Sequence, residues 1–197
     1  MVRKTSARTR ILEATEQILE RDGVLALTTN RVADESGVNI SSLYRHFDNK
    51  VEILAELFSS MESERVEFFR KNPIQAGSVE EWDSWLSFII DSMEAFRQAR
   101  PALRELRAAV PIYPELRALD RASAKKAAET LMEPFSPLAD EDEKRLKHLL
   151  MMGSEILSMV LDDSVGNGEE RQLNVDTLRT LLRNSYAYVA SLTVTRD

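Results

Sequence analysis

Between residues 28 and 50 the chain reads Thr-Thr-Asn-Arg-Val-Ala-Asp-Glu-Ser-Gly-Val-Asn-Ile-Ser-Ser-Leu-Tyr-Arg-His-Phe-Asp-Asn-Lys. Its polar groups are hydroxyls, amides, a guanidinium, an imidazole and an ammonium. Such groups hydrogen-bond to phosphate oxygens and base edges; they are not spaced for nucleophilic or metal chemistry. The apolar residues set their direction. Val32 and Ala33, Val38, then Leu43 and Phe47 can fold inward together, which leaves Ser41, Ser42, Tyr44, Arg45 and His46 outside. The spacing predicts two short helices, at about 29–36 and 40–46, joined by a tight turn. In a helix-turn-helix of this layout the second helix enters the major groove.

Each position has a physical reason. Thr28 can cap the first helix through its hydroxyl, and Asn39 can cap the second. Small Ala33 lets two helices cross closely. Gly37 suits the left-handed conformation that commonly ends a helix, which other residues adopt at a cost. A capped second helix directs its free N–H groups and positive end outward, where a phosphate could sit.

The elements that must position this motif all read as helix. The first runs from about Ser6 to Arg21, with Ile11, Leu12, Thr15, Ile18 and Leu19 at helical spacing. A long helix follows the motif from about Asn49 to Lys71, until Asn72-Pro73 and Ala76-Gly77 break it. Ser78 and Glu81 form a capping box for the next. Pro101 and Pro114 each suit the first position of a helix, the second running to about 133 before Pro134 and Pro137. Asp140 opens another, to about Leu161. Gly166-Asn167-Gly168 makes a loop, and a last helix spans about 176–193.

With these residues in view, 8–50 resemble the DNA-binding domain of the TetR family of transcriptional regulators. The matching pieces are Ile11-Leu12-x-Ala14, Gly23, Thr28-x-x-x-Val32-Ala33, Ser36-Gly37-Val38, Leu43-Tyr44-x-His46-Phe47 and Lys50. One departure is Ile40-Ser41-Ser42, where many members carry a glycine or proline near the helix start. The resemblance implies an all-α protein: a three-helix DNA-binding domain over 1–48, then a larger helical ligand-binding and dimerisation domain over 49–197. It implies phosphate contacts from Tyr44 and Lys50. Ile40, Ser41 and Ser42 begin the recognition helix and are the base-edge candidates. Arg45 has the reach for guanine or for phosphate. His46 is a phosphate contact or a local cap, and Thr29 and Asn30 complete the set.

The net charge of −7 is unevenly placed. Residues 1–50 carry eight Lys/Arg against seven Asp/Glu, whereas 51–197 carry 18 against 26. Arg3, Lys4, Arg8 and Arg10 cluster at the start, ready to meet phosphates. This balance disfavours a nucleoid-type binder without sequence preference. There is no cysteine, which excludes disulfides and thiolate metal sites. No segment reads as a signal peptide or approaches the ~20 apolar residues of a membrane span, so the cytoplasm is expected, without membrane contact. No phosphate loop or nucleophile elbow is present, and no enzyme activity, cofactor or metal is expected.

The second part is less explicit. Phe58, Met61, Trp82, Trp85, Ile89, Met93, Phe96, Val110, Tyr113 and Met152 can line an apolar pocket, with Arg107 and His148 as polar handles. Each such residue is more often ordinary core than a ligand contact. Two further stripes run through Leu149, Gly153, Ile156 and Val160, and through Leu178, Leu182, Ser185 and Val189. They can pack within one chain or against a second copy. The TetR resemblance implies dimerisation through these last long helices and a small-molecule effector. The expectation is a homodimeric repressor on palindromic operator DNA, released by an apolar or amphipathic ligand. The alternative is a DNA-binding regulator controlled by a protein partner.

Overall fold

The computed structural model describes residues 6–135, 140–162 and 168–194, and every regular element among them is helical. The helices are α1 (Ala7–Asp22), α2 (Thr29–Ser36), α3 (Ile40–Leu43), α4 (Lys50–Lys71), α5 (Val79–Gln98), α6 (Pro101–Ala109), α7 (Pro114–Met132), α8 (Asp140–Asp162), α9 (Gly168–Arg183) and α10 (Tyr186–Val194). Short 3-10 turns lie at Val24–Ala26 and Glu133–Phe135. Arg3, Lys4, Pro137, Asp163, Gly166 and Asn167 lie outside the described residues.

Two compact units emerge. The first joins Met1–Ser63 to Arg97–Arg121, and the second joins Glu64–Phe96 to Ala122–Asp197. This grouping follows compactness; the functional boundary at 48/49 is a separate proposal from the sequence. The first unit thus takes α6 from a distant part of the chain. There α1 packs on α2, α3 and α6. Ile11, Ile18, Leu19, Val32, Leu43 and Leu106 are fully buried. Burial of each such side chain contributes about 1.5–3 kcal/mol.

The second unit has its own core, with Phe69, Trp82, Trp85, Ile89, Ile90, Met93, Phe135, Leu146, Leu161 and Leu178 among its buried members. Trp82 and Trp85 stack with centroids 5.4 Å apart. Their indole N–H groups donate to the carbonyls of Leu182 and Asn72, both at 3.2 Å. Ser78 caps α5 by accepting from the Glu81 amide, while the Glu81 carboxylate accepts from the Gly77 amide.

Two helices differ from expectation. The helix placed at 176–193 starts earlier, at Gly168, and is interrupted at Asn184-Ser185. Its interruption has a local cause. The Leu182 carbonyl, which would bond the Tyr186 amide in a continuous helix, instead accepts from the Ser185 amide, the Ser185 hydroxyl and the Trp82 indole. The recognition helix, expected over 40–46, is α-helical only to Leu43. The next turn tightens, as the amides of Arg45 and His46 bond back three residues to Ser42 and Leu43.

Candidate nucleic-acid interface

The turn between α2 and α3 is fixed from three sides. Thr28 Oγ1 accepts from the Arg31 amide at 3.2 Å and starts α2. Gly37 ends it at φ 60°, a left-handed conformation that glycine adopts without a steric penalty. Asn39 Oδ1 then accepts from the Ser41 amide at 2.8 Å and starts α3. From α1, Arg10 Nη1 donates to the Ser36 and Gly37 carbonyls at 3.2 and 3.4 Å. The guanidinium thereby supplies a donor to the C-terminal end of α2, where partial negative charge accumulates.

In the basic cluster at the start of the chain, the described members Arg8 and Arg10 also have partners within the motif. Arg10 braces the turn through one guanidinium nitrogen. Arg8 donates through Nε to Glu56 at 2.7 Å, pairs with the same carboxylate through a second nitrogen, and lies 4.9 Å from the Phe47 ring centroid. Both cations brace the motif. Sequence counting missed this because charge number does not reveal which carboxylates and carbonyls stand opposite.

A second clamp joins the end of α1 to α2. Arg21 pairs with Asp22 and Glu35, and Arg31 pairs with the same two carboxylates. Hydrogen bonding to Arg21, more than to Arg31, holds Asp22 and Glu35 below their ordinary carboxylate pKa values. The pairs are solvent-exposed, so their individual contribution to stability is small.

The outward face is organised in pairs. Thr29 Oγ1 and the Tyr44 hydroxyl lie 3.0 Å apart, which joins the start of α2 to the end of α3. Tyr44 is 48% exposed, so its hydroxyl is free to reach solvent-side partners as well. Arg45 Nη2 donates to Ser42 Oγ at 2.9 Å, which orients the guanidinium along α3. Asn30, Ser41 and Arg45 are exposed; Thr29, Ile40, Ser42, His46 and Lys50 are half-buried. Beneath them Leu43 and Phe47 are closed off from solvent. Hydroxyl, amide and guanidinium groups thus remain accessible around an apolar wedge, and such groups suit phosphates and base edges.

The residues read as pocket lining fall into both units. In the first, Phe58, Met61 and Arg107 are buried, while Val110 and Tyr113 are half-buried. Arg107 is engaged with Asp120 at 2.6 Å and Glu62 at 3.6 Å, and lies 5.7 Å from the Phe58 centroid. In the second, Trp82, Trp85, Ile89 and Met93 belong to the core, Phe96 is half-buried, and His148 and Met152 are exposed. The second unit also carries a groove of about 600 Å³ lined by Lys71, Asn72, Pro73, Gln75, Glu80, Glu81, Ser84, Trp85 and Phe88. Of these, Trp85 is the one read as pocket lining in the sequence, while Asn72, Pro73 and Glu81 mark helix boundaries there.

Of the residues read as a dimer face, Leu149, Gly153, Ile156, Val160, Leu182 and Ser185 are half-buried, whereas Leu178 and Val189 are closed inside their unit. A methyl group on Gly153 would meet Leu182 at 3.6 Å, an ordinary contact, so the approach of α8 to α9 does not require a glycine there. The exposed large apolar side chains of α8 and α9 are Met152, Met159, Leu173 and Leu181. Among the described residues no cluster of three metal-ligating side chains occurs, and no helix is long and apolar enough to cross a membrane.

Comparisons with known proteins agree with this geometry. Residues 11–57 match the family profile described as bacterial regulatory proteins, tetR family, and residues 80–187 match that of the tetracyclin repressor-like C-terminal domain. The chain is 34% identical over 95 residues to the tetracycline repressor protein class A from transposon 1721 of Escherichia coli, covering 48% of this chain and 40% of that protein. It is 33% identical over 87 residues to the HTH-type transcriptional repressor KstR of Rhodococcus jostii (strain RHA1), covering 44% of this chain and 41% of that one. These matches therefore span well under half the length of either relative. A TetR-family transcriptional regulator from Streptomyces coelicolor has a similar solved structure, with TM-score 0.66 at 23% identity over 95% of this chain and 99% of that chain. The chain belongs to the TetR family of bacterial transcriptional regulators.

Proposed function

We propose that this protein binds operator DNA through the outward face of residues 29–50, acting in the cytoplasm as a homodimeric repressor released by an apolar or amphipathic small molecule. The observation that carries the DNA reading is the pairing of Thr29 with Tyr44 and of Ser42 with Arg45 above a buried apolar wedge. Hydroxyls and a guanidinium are pre-positioned there without being consumed by carboxylates. In this reading Tyr44, Thr29, Asn30, His46 and Lys50 hold the phosphate backbone, whereas Ile40, Ser41, Ser42 and Arg45 meet base edges.

The dimer is supported by the exposed methionines and leucines of α8 and α9, which water solvates poorly. A two-fold axis would then present two recognition helices to half-sites about 34–36 Å apart, or one turn further. Repression is supported by the names of the two relatives, both of them repressors. No catalytic step belongs to this reading.

Selection of bound sequences from random duplex DNA at a fixed salt concentration tests it. Enrichment of a palindrome is the expected result. Absence of enrichment, or enrichment of a single unrepeated half-site by a monomer, would overturn the dimeric operator reading.

A further inference from the structure

We infer that Tyr113, on the connector between α6 and α7, is a positioning residue for Lys50, holding the Lys50 ammonium in place for its phosphate. This rests on the DNA-binding reading proposed above and extends it to a residue more than sixty positions from the motif.

The geometry is direct. Lys50 opens α4, and its Nζ lies 6.0 Å from the centroid of the Tyr113 ring. The same ammonium donates to the Leu27 carbonyl at 3.4 Å, just before the start of α2. A lysine has a flexible four-carbon stem and ordinarily samples many rotamers. Here a ring on one side and a carbonyl on another restrict where its charge can stand. Neither partner is a carboxylate, so the positive charge is placed without being neutralised. An ion pair would have fixed the side chain and cancelled its attraction for a phosphate.

The Tyr113 backbone is itself fixed. Its amide donates to the Ala109 carbonyl and its carbonyl accepts from the Arg117 amide, both at 3.1 Å. Arg117 also donates to the Pro111 carbonyl at 2.6 Å, closing the connector over itself. On one side of that connector, α6 is tied to the motif unit by Glu105, whose carboxylate accepts from the Val24 amide at 3.2 Å. On the other side, Asp120 of α7 grips Arg107 of α6. The ring therefore meets Lys50 from a rigid mount, and a cation held over an aromatic face is attracted by the ring quadrupole.

The test compares affinities for the selected palindromic duplex, measured over a range of salt concentrations, in a double-mutant cycle. Tyr113→Leu should weaken binding by about two- to fivefold, the range of an exposed cation–π contact. Tyr113→Phe keeps the ring and should bind as the unaltered protein does. In a Lys50→Ala background, which itself lowers the salt slope by about one phosphate contact, Tyr113→Leu should have no further effect. Thermal unfolding of each variant separates binding from folding. A Tyr113→Leu penalty of equal size with and without Lys50 overturns the inference, as does a Tyr113→Phe penalty matching that of Tyr113→Leu. Unaltered affinity in Tyr113→Leu overturns it too while leaving the DNA reading intact. Failure of the unaltered protein to select any duplex overturns both.

Discussion

Residues 28–50 and residues 82–96 are both amphipathic helical segments, and they turn that property in opposite directions. In the first, Leu43 and Phe47 are anchors hidden from solvent, and the side chains with chemistry stand outside, Tyr44 at 48% exposure. In the second, the chemically distinctive residues are themselves the anchors. Trp82 and Met93 are each 3% exposed, and both tryptophan N–H groups are satisfied by backbone carbonyls. A surface that meets a charged polymer is recognisable from what the fold leaves out. A buried aromatic stripe has no such signature, because filling a core and lining a cavity require the same residues.

That contrast can be broken by mutation. Trp82→Ala should cost about 3–5 kcal/mol of stability in urea unfolding, the range for a buried aromatic. Affinity for DNA per folded molecule should stay unchanged. A strong loss of affinity in the folded fraction would show that the two segments are not separable in this way. Gly37→Ala puts a Cβ into a left-handed turn at φ 60° and should cost about 1–2 kcal/mol. The nearest atom to that Cβ would be Arg10 Nη1 at 3.7 Å, so the penalty is conformational and not a clash. If Gly37→Ala proves neutral, the turn is less constrained than its geometry implies.

Smaller effects sharpen the motif side. Tyr44→Ala should leave thermal stability nearly unchanged and weaken DNA binding by about 1.5 kcal/mol, the lower end for a hydrogen bond to a charged group such as phosphate. Loss of folding without loss of binding would reverse the assignment. The clamp of Arg21 and Arg31 on Asp22 and Glu35 should appear as a pH effect. Both carboxylates have lowered pKa values in the folded chain, so their contribution is present above the ordinary values of 3.8 and 4.5. It is lost as pH falls through the lowered values. Glu35→Gln should flatten that part of the stability profile, and an identical profile in both proteins would mean the clamp carries no weight.

The motif was legible in the sequence because its geometry is demanding. A cap at Thr28, a left-handed glycine at 37 and a cap at Asn39 are needed at fixed spacing, and each observed hydrogen bond falls where that spacing places it. The proline and capping starts of α5, α6 and α7 were readable for the same reason. What was not readable depends on distant partners. That Arg8 and Arg10 brace the motif depends on Glu56 and the α2 carbonyls opposite them. The break at Asn184-Ser185 needs Trp82, about a hundred positions away, to compete for the Leu182 carbonyl. The approach of Tyr113 to Lys50 is likewise hidden in the sequence, since residues 97–121 join the unit of the motif only in the fold.

The central claim is that the outward face of α3 carries sequence information while its apolar underside only holds it there. Repeating the random-duplex selection with Arg45→Ala tests this most directly. The unaltered protein should select a palindrome, and the variant should show a relaxed preference at one position of each half-site, at a cost of about 1–3 kcal/mol. The same palindrome, enriched equally by both proteins, would contradict it.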